Sequence, residues 1–303
     1  MKKIKIGLPK ALLYYKYNVL WRTFFEELGF EVVESVNTNN ETIETGKKLT
    51  VDEACLSLKI FMGHVNYLVD KVDYILVPRI VCLKKGEKTC TNFYALYDLV
   101  NNTVKAKILD YNIDMDKNIS EEDAFFYLGK KLNIPKSKVE DAYKKAKIEE
   151  YKQNKKRYLL EIEKLNSKKI KVLVVSHAYN MNDNFVGKNI EKILKDFNCE
   201  VIHCDVLDPD NDSNLYENIT KSVYWTYNIE LLNMIEVYKN SVDGILLLTT
   251  FPCGPDSLVN EMIISKIKKP LITILIDDIS SFEGFKTRIE SFIDIIGGYN
   301  FEQ

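Results

Sequence analysis

Six cysteines carry most of the chemistry open to this chain: Cys55, Cys82, Cys90, Cys199, Cys204 and Cys253. Where structural disulfides are disfavoured, each thiol must fill core space, bind a metal or react. No CxxC or CxxH spacing occurs, which speaks against a zinc ribbon and a ferredoxin-type run. Any metal site must therefore be assembled from distant segments. Cys253 lies in Phe251-Pro252-Cys253-Gly254-Pro255-Asp256-Ser257, after an apolar strand pattern and before a helix. Cys55 follows Asp52-Glu53-Ala54 and opens a helix, and Cys90 ends a polar loop before a helix starting near Phe93. A cysteine at a helix N-terminus feels the positive end of the dipole, which favours thiolate, the form that binds iron. Gly254 lets the backbone approach an inorganic cluster, and Pro252 and Pro255 stiffen the loop on both sides. Pro-Cys-Gly-Pro is a poor core sequence, which marks Cys253 as a ligand. For Cys55 and Cys90, spacing supports a ligand and a buried small hydrophobe about equally. Cys199 and Cys204 flank a short strand and read as core or surface residues. Cys82 shares the loop of Cys90 and stays open.

The elements that position these thiols alternate between strand-like and helix-like, which predicts α/β with mainly parallel sheets. Strands are expected at Lys3 to Leu8, Phe30 to Glu34, Asp73 to Val77, Ile170 to Ser176, Glu200 to Cys204, Gly244 to Thr249 and Leu271 to Asp277. Helices are expected at Leu12 to Leu28, Cys55 to about Val69, Phe93 to Val100, Ile190 to Phe197, near Leu215 to Lys239, Asp256 to Lys266 and Phe285 to Ile296. Gly29 is the stop signal of the first helix. Pro78 is expected to end its strand and open a loop through Gly86 to Cys90. From Ser120 to Lys168 the chain is rich in Lys, Glu and Tyr with helical periodicity. The expectation is two Rossmann-like doubly wound domains, 1–117 and 169–303, joined by a helical connector at 118–168. In such sheets ligands bind beyond the carboxyl ends of the strands, which is where Cys55, Cys90 and Cys253 fall.

The 303 residues are 46% hydrophobic and 28% charged with net charge −2, the balance of a globular protein with no electrostatic reason to bind nucleic acid or a membrane surface. No stretch approaches the ~20 apolar residues of a transmembrane helix, and Met1-Lys2-Lys3-Ile4-Lys5 runs straight into a strand pattern rather than a signal peptide. A cytoplasmic location is expected.

Several pieces together resemble the 2-hydroxyacyl-CoA dehydratase / benzoyl-CoA reductase superfamily, most closely its acyl-CoA dehydratase activase-related branch. They are Ile6-Gly7-Leu8-Pro9-Lys10-Ala11-Leu12, Ala54-Cys55-Leu56-Ser57-Leu58-Lys59 with Gly63-His64, Tyr74-Ile75-Leu76-Val77-Pro78-Arg79, and Cys90 in a Gly-x-x-x-Cys loop. Further pieces are Ser176-His177-Ala178-Tyr179-Asn180, the Cys253 loop, and Phe282-Glu283-Gly284-Phe285-Lys286-Thr287-Arg288. The resemblance implies a [4Fe–4S] cluster on Cys55, Cys90 and Cys253 with one iron open to a ligand, in an oxygen-sensitive protein of anaerobic metabolism. It further implies low-potential electron transfer from an ATP-dependent activator, and reduction or dehydration of a small or CoA-linked substrate. A homodimer or a related subunit is expected as partner. The chain departs from the pattern at Thr91 after Cys90, at Pro252 before Cys253, and at Asp277-Asp278-Ile279, where an acidic–histidine pair is usual.

Under this reading His177, at a strand end, and Glu283 and Arg288, beside a helix start, are the candidate catalytic residues. An ordinary ion pair explains the last two equally well. His64 reads as a satisfied buried histidine or a support to the site, and Lys10 as a solvated lysine or a contact for a CoA phosphate. Two alternatives stand beside the dehydratase-type function. One is a non-catalytic cluster-binding or regulatory partner of an activase system. The other is a double-cubane cluster reductase, for which six cysteines would suffice.

Overall fold

A computed structural model of the chain describes residues 3–211, 214–278 and 282–299. It divides into two compact units, Met1–Gln153 with Tyr224–Thr226, and Asn154–Val223 with Tyr227–Gln303. The boundary between residues 153 and 154 falls inside one long helix.

The first unit holds strands β1 (Lys5–Leu8), β2 (Glu31–Glu34), β3 (Tyr74–Cys82) and β4 (Ile108–Asp114). They form one parallel sheet in the order β2-β1-β3-β4. Its helices are α1 (Tyr14–Glu27), α2 (Asn40–Lys48), α3 (Leu56–Leu68), α4 (Thr91–Thr103) and α5 (Glu121–Lys131), with the start of α6 (Lys136–Lys164). The second unit repeats the topology: β5 (Lys171–Val175), β6 (Glu200–His203), β7 (Gly244–Thr250) and β8 (Leu271–Ile276) form a parallel sheet in the order β6-β5-β7-β8. Around it lie α7 (Ala178–Met181), α8 (Gly187–Asp196), α9 (Thr226–Tyr238), α10 (Gly254–Lys266) and α11 (Phe282–Tyr299). The chain is thus two Rossmann-like units. Strand β7 is buried along its whole length, the mark of a parallel strand covered on both faces.

Helices here start and stop by local chemistry. Asn39 with Thr42 and Ser120 with Asp123 form reciprocal capping boxes at the starts of α2 and α5. Gly29 follows α1 at φ 85°, a left-handed conformation that glycine adopts without cost. The first unit's core is aromatic: Phe125 of α5 packs on Phe24, Tyr111 and Tyr143 at centroid distances of 4.4, 5.2 and 5.0 Å. Burying a ring of this size contributes roughly 1.5–3 kcal/mol. It explains why the Lys- and Glu-rich stretch after Ser120 folds onto the sheet rather than into solvent.

Three readings of the sequence are corrected by the structure. Strand β3 does not stop at Val77 but runs through Pro78 to Cys82, paired with β4 throughout. Proline is tolerated because β1 pairs with β3 only at Tyr74 and Ile75, leaving the rest of that side without a ladder to donate to. Strand β4 and helix α2 had no expected counterpart. The stretch near Leu215 to Lys239 is not one helix but a 3₁₀ turn at Leu215–Asn218 followed by α9.

Helices α2 and α3 meet through glycines. A Cβ on Gly63 would lie 1.9 Å from the Thr42 carbonyl oxygen, and one on Gly46 would lie 1.8 Å from that of Lys59. Backbone cannot yield as a side chain tip can. Gly63→Ala is therefore expected to destabilise the fold by about 1–3 kcal/mol, read as a lower urea midpoint at unchanged slope.

Candidate functional site

In both units the helix that follows a strand begins at that strand's carboxyl end. Cys90, after β3, and Cys253, after β7, occupy such positions, whereas Cys55 caps a helix that follows α2 rather than a strand. Cys55 is the N-cap of α3, Cys90 the N-cap of α4 and Cys253 the N-cap of α10. All three are half-buried, whereas Cys82, Cys199 and Cys204 are buried. Burial pushes the Cys199 thiol up to about 11 and Cys204 well above its ordinary value, so both stay protonated core fillers.

In the first unit Asn92, in the first turn of the helix that Cys90 caps, donates Nδ2–H to Cys55 Sγ at 3.5 Å. Such a donor, added to the helix dipole, favours thiolate. The turn after β1 is tied down beside them. Leu12 takes a left-handed φ of 47°, uncommon for an L residue with a side chain. The Lys10 amide donates to Ser35 Oγ at 2.7 Å, and Lys10 Nζ donates to Asn37 Oδ1 at 2.6 Å. His64 lies fully buried between Ser35 Oγ (2.7 Å from Nδ1) and Thr38 Oγ1 (3.0 Å from Nε2). Burial first, and Lys10 second, pull its pKa down to about 4, so it is a neutral tether between α3 and the segment after β2.

The second unit is organised on Asp256, the third residue of α10. His177, the N-cap of α7 at the end of β5, donates Nε2–H to Asp256 Oδ1 at 2.8 Å. Asn228 of α9 donates to the same oxygen at 2.9 Å, and Thr249 of β7 donates to Oδ2 at 2.7 Å. Burial is the largest single influence and would raise the Asp256 carboxyl, but the charge of His177 and the three hydrogen bonds together hold it well below the usual carboxylate range. His177 also stacks on Tyr179 at 5.0 Å. Strands β5 and β7 are neighbours at which the strand order reverses, the switch point where α/β sheets bind ligands. His177 follows the first strand and Cys253 the second.

Gly254 is informative for a different reason. Its φ is not left-handed, and a Cβ there would meet nothing within 4 Å. Neither backbone geometry nor packing among the described residues requires glycine in this helix start, where it costs about 0.5–1 kcal/mol relative to alanine. A bare backbone beside a half-buried thiol is what a cluster needs in order to approach the first amides of α10. The donor set and this opening fit an iron–sulfur group. When bound, such a group supplies one-electron redox chemistry.

Glu283 and Arg288 are not paired with each other among the described residues. Arg288 Nη2 donates to the Thr273 carbonyl of β8 at 2.7 Å, and Glu283 is exposed in the first turn of α11. Of the expected acidic–histidine position, Ile279 lies outside the described residues. What sequence reasoning missed is Asp256 with Asn228 and Thr249. The Asp at the third helical position was visible in sequence, but its buried partners come from three separate elements.

The fold and the helix-capping cysteines define a two-unit Rossmann-like protein. Residues 5–207 match the family model described as the CoA enzyme activase uncharacterised domain (DUF2229), and the chain belongs to that family. The matched residues include Cys55, Cys90 and His177 and stop short of Cys253. The family points to the acyl-CoA dehydratase activase branch, and it overturns the expectation that this chain is the dehydratase-type component that receives electrons and transforms substrate. The physical reason is that helix-capping thiols suit electron donors and acceptors alike, so the residues could not encode the direction of transfer. No curated protein matches the chain.

Among solved structures it is similar to a Zn(II)-bound AdcAII variant of Streptococcus pneumoniae, at 12% identity over 97% of this chain and 98% of that one, with TM-score 0.28. The UDP-GlcNAc 2-epimerase from Methanocaldococcus jannaschii follows at 16% identity, over 97% and 92%, with TM-score 0.22. A sugar transporter from Clostridium phytofermentans aligns at 11% identity, over 91% and 82%, with TM-score 0.20. Likenesses this distant carry no argument. Among the described residues no helix is long and apolar enough to cross a membrane.

Asp256→Asn removes the buried charge and is expected to cost about 2–3 kcal/mol at neutral pH. The folded carboxyl titrates below its unfolded value of about 3.9. Its contribution is thus complete above that value and is lost as pH falls through the folded pKa. The margin of the wild type over the variant, measured by thermal unfolding, should be constant above about pH 5 and shrink below it.

Proposed function

We propose that this chain is a non-catalytic, cluster-carrying partner in a CoA enzyme activase system, with Cys55, Cys90 and Cys253 as thiolate ligands of a [4Fe–4S] cluster and an acyl-CoA dehydratase component as the partner it serves. One observation carries the reading. The three cysteines that are half-buried are the three that cap helices, while the other three are buried. Membership of the activase family supports the partner. In this reading Asn92 and the helix dipoles stabilise thiolate charge. Asp256 fixes His177 at the switch point, and Gly254 keeps the α10 amides accessible. The burial of Cys199 and Cys204 favours a single cluster over a double-cubane.

Anaerobic purification should give about four irons and matching sulfide per chain and a reduced EPR signal. Cys253→Ser should lose most of both. No conversion of a 2-hydroxyacyl-CoA by the chain alone is expected. An iron-free, air-stable protein would end the cluster assignment, and turnover by the isolated chain would end the non-catalytic one. Gly254→Ala separates fold from site. Unfolding stability should hold or rise by about 0.5–1 kcal/mol, while iron content falls.

A further inference from the structure

A second cluster of ligand atoms lies in the first unit, apart from the cysteines that cap helices. Cys82 and Asp114 are register partners at the carboxyl ends of β3 and β4, next to a β-bulge at Ile80/Cys82. Asp116 follows in the 3₁₀ turn Met115–Lys117. Cys82 Sγ and one carboxylate oxygen from each aspartate lie within 4.8 Å of one another. Convergence alone would mean little, because acidic groups gather at many strand ends. Here Asp114 is only 4% exposed, and its Oδ1 is buried with no hydrogen-bond partner among the described residues. A buried carboxylate oxygen without a donor is costly. Its other oxygen meets Lys117 at 3.2 Å, but that lysine is 75% exposed and its charge is largely screened.

The surroundings show what a cation there would hold. Cys82 Sγ has two acceptors for its single proton, the Lys84 carbonyl at 2.9 Å and Asp116 Oδ1 at 3.3 Å. The Gly86 amide donates to Asp116 Oδ1 at 3.3 Å, and Lys88 Nζ pairs with Asp116 Oδ2. The Lys88 backbone exchanges hydrogen bonds with the Tyr224 carbonyl (2.7 Å) and the Thr226 amide (2.8 Å). The loop from Leu83 to Thr89, which delivers Cys90 to the start of α4, is therefore held at its middle by Asp116 and near its end by the Lys88 backbone.

We propose that Cys82, Asp114 and Asp116 form a binding site for a borderline divalent cation of the Zn²⁺ class, which clips this loop to the β3–β4 edge. One thiolate with two carboxylates suits Zn²⁺, Co²⁺ or Fe²⁺ and disfavours Mg²⁺ and Ca²⁺, which take oxygen ligands only. Binding forms the metal–sulfur bond and releases the thiol proton to solvent. The cation gives Asp114 Oδ1 the positive partner that it lacks and displaces Lys88 from Asp116.

The test uses full-length protein carrying Cys55→Ser, Cys90→Ser and Cys253→Ser together, so that its outcome is independent of the iron–sulfur assignment. Titration with Co²⁺ should show thiolate-to-cobalt charge transfer at one metal per chain, and Zn²⁺ should quench it and raise the Tm. Cys82→Ser and Asp116→Asn, each added to this background, should abolish the band or weaken affinity on the order of 10–100-fold or more. Asp116 lies on the surface turn, so its variant remains informative where loss of the buried thiol impairs folding. A band absent from the triple-serine protein, or one that survives Asp116→Asn unchanged, would overturn the site and leave Asp116 as a hydrogen-bonded loop anchor.

Discussion

A carboxylate buried as completely as Asp256 survives only because three other elements deliver partners to it. His177 comes from the end of β5, Thr249 from β7 and Asn228 from α9, while Asp256 itself sits in the first turn of α10. The arrangement fixes more than a charge. It orients the imidazole, anchors the start of α10, and so determines where Cys253, three residues earlier, can point. The helix N-terminus favours the negative charge, so the dipole that steadies Asp256 also acts on the thiol. The second unit's carboxyl edge is thus one electrostatic structure, built from residues 79 positions apart in sequence at its widest.

The first unit meets the same geometric problem without a buried carboxylate at the switch point. Both sheets share the order in which the first strand of the unit sits inside and the third beside it. In both, a loop after the third strand carries the capping cysteine. In the first unit neutral groups do the tying. His64 spans Ser35 and Thr38, and the amide of Lys10 closes on Ser35. Deep burial keeps that imidazole uncharged, so His64 braces the edge without adding a field. The charged network at one edge and the neutral one at the other give thiols of the same type different surroundings.

Much of this was legible in the sequence, and the legible parts share a cause. Cys55 and Cys253 sit at helix starts because local signals set those starts: the switch from apolar run to helical period, and proline and aspartate in the first turn. Such signals act over a few residues. Strand β4 was missed because Ile108–Asp114 alternates apolar and acidic residues and lacks the continuous apolar run of β5 or β7. Pro78 misled because its tolerance depends on how far β1 extends, a property of a different strand. The Asp256 network was invisible for the same reason, since Asn228 and Thr249 carry no mark of their partner. The expected roles of Glu283 and Arg288 came with the resemblance, and in the structure Arg288 donates to the β8 backbone.

The contrast between Cys82 and Cys90 shows how little residue type decides by itself. Eight positions apart, on either side of one loop, they differ in what the backbone does around them. Cys90 ends the loop where the chain turns into a helix, half-buried with a helix dipole behind it. Cys82 is the last residue of a strand, fully buried, and burial together with the Asp116 carboxylate raises its thiol pKa. Burial and the neighbouring carboxylate thus hold the proton on Cys82, whereas Cys90 sits at the positive end of a helix dipole. The same reasoning explains why the ligands alone could not reveal the direction of electron transfer. Charge, dipole and burial prepare a thiol to bind metal, but the flow of electrons is set by the partner's potential, and here only family membership bears on that partner.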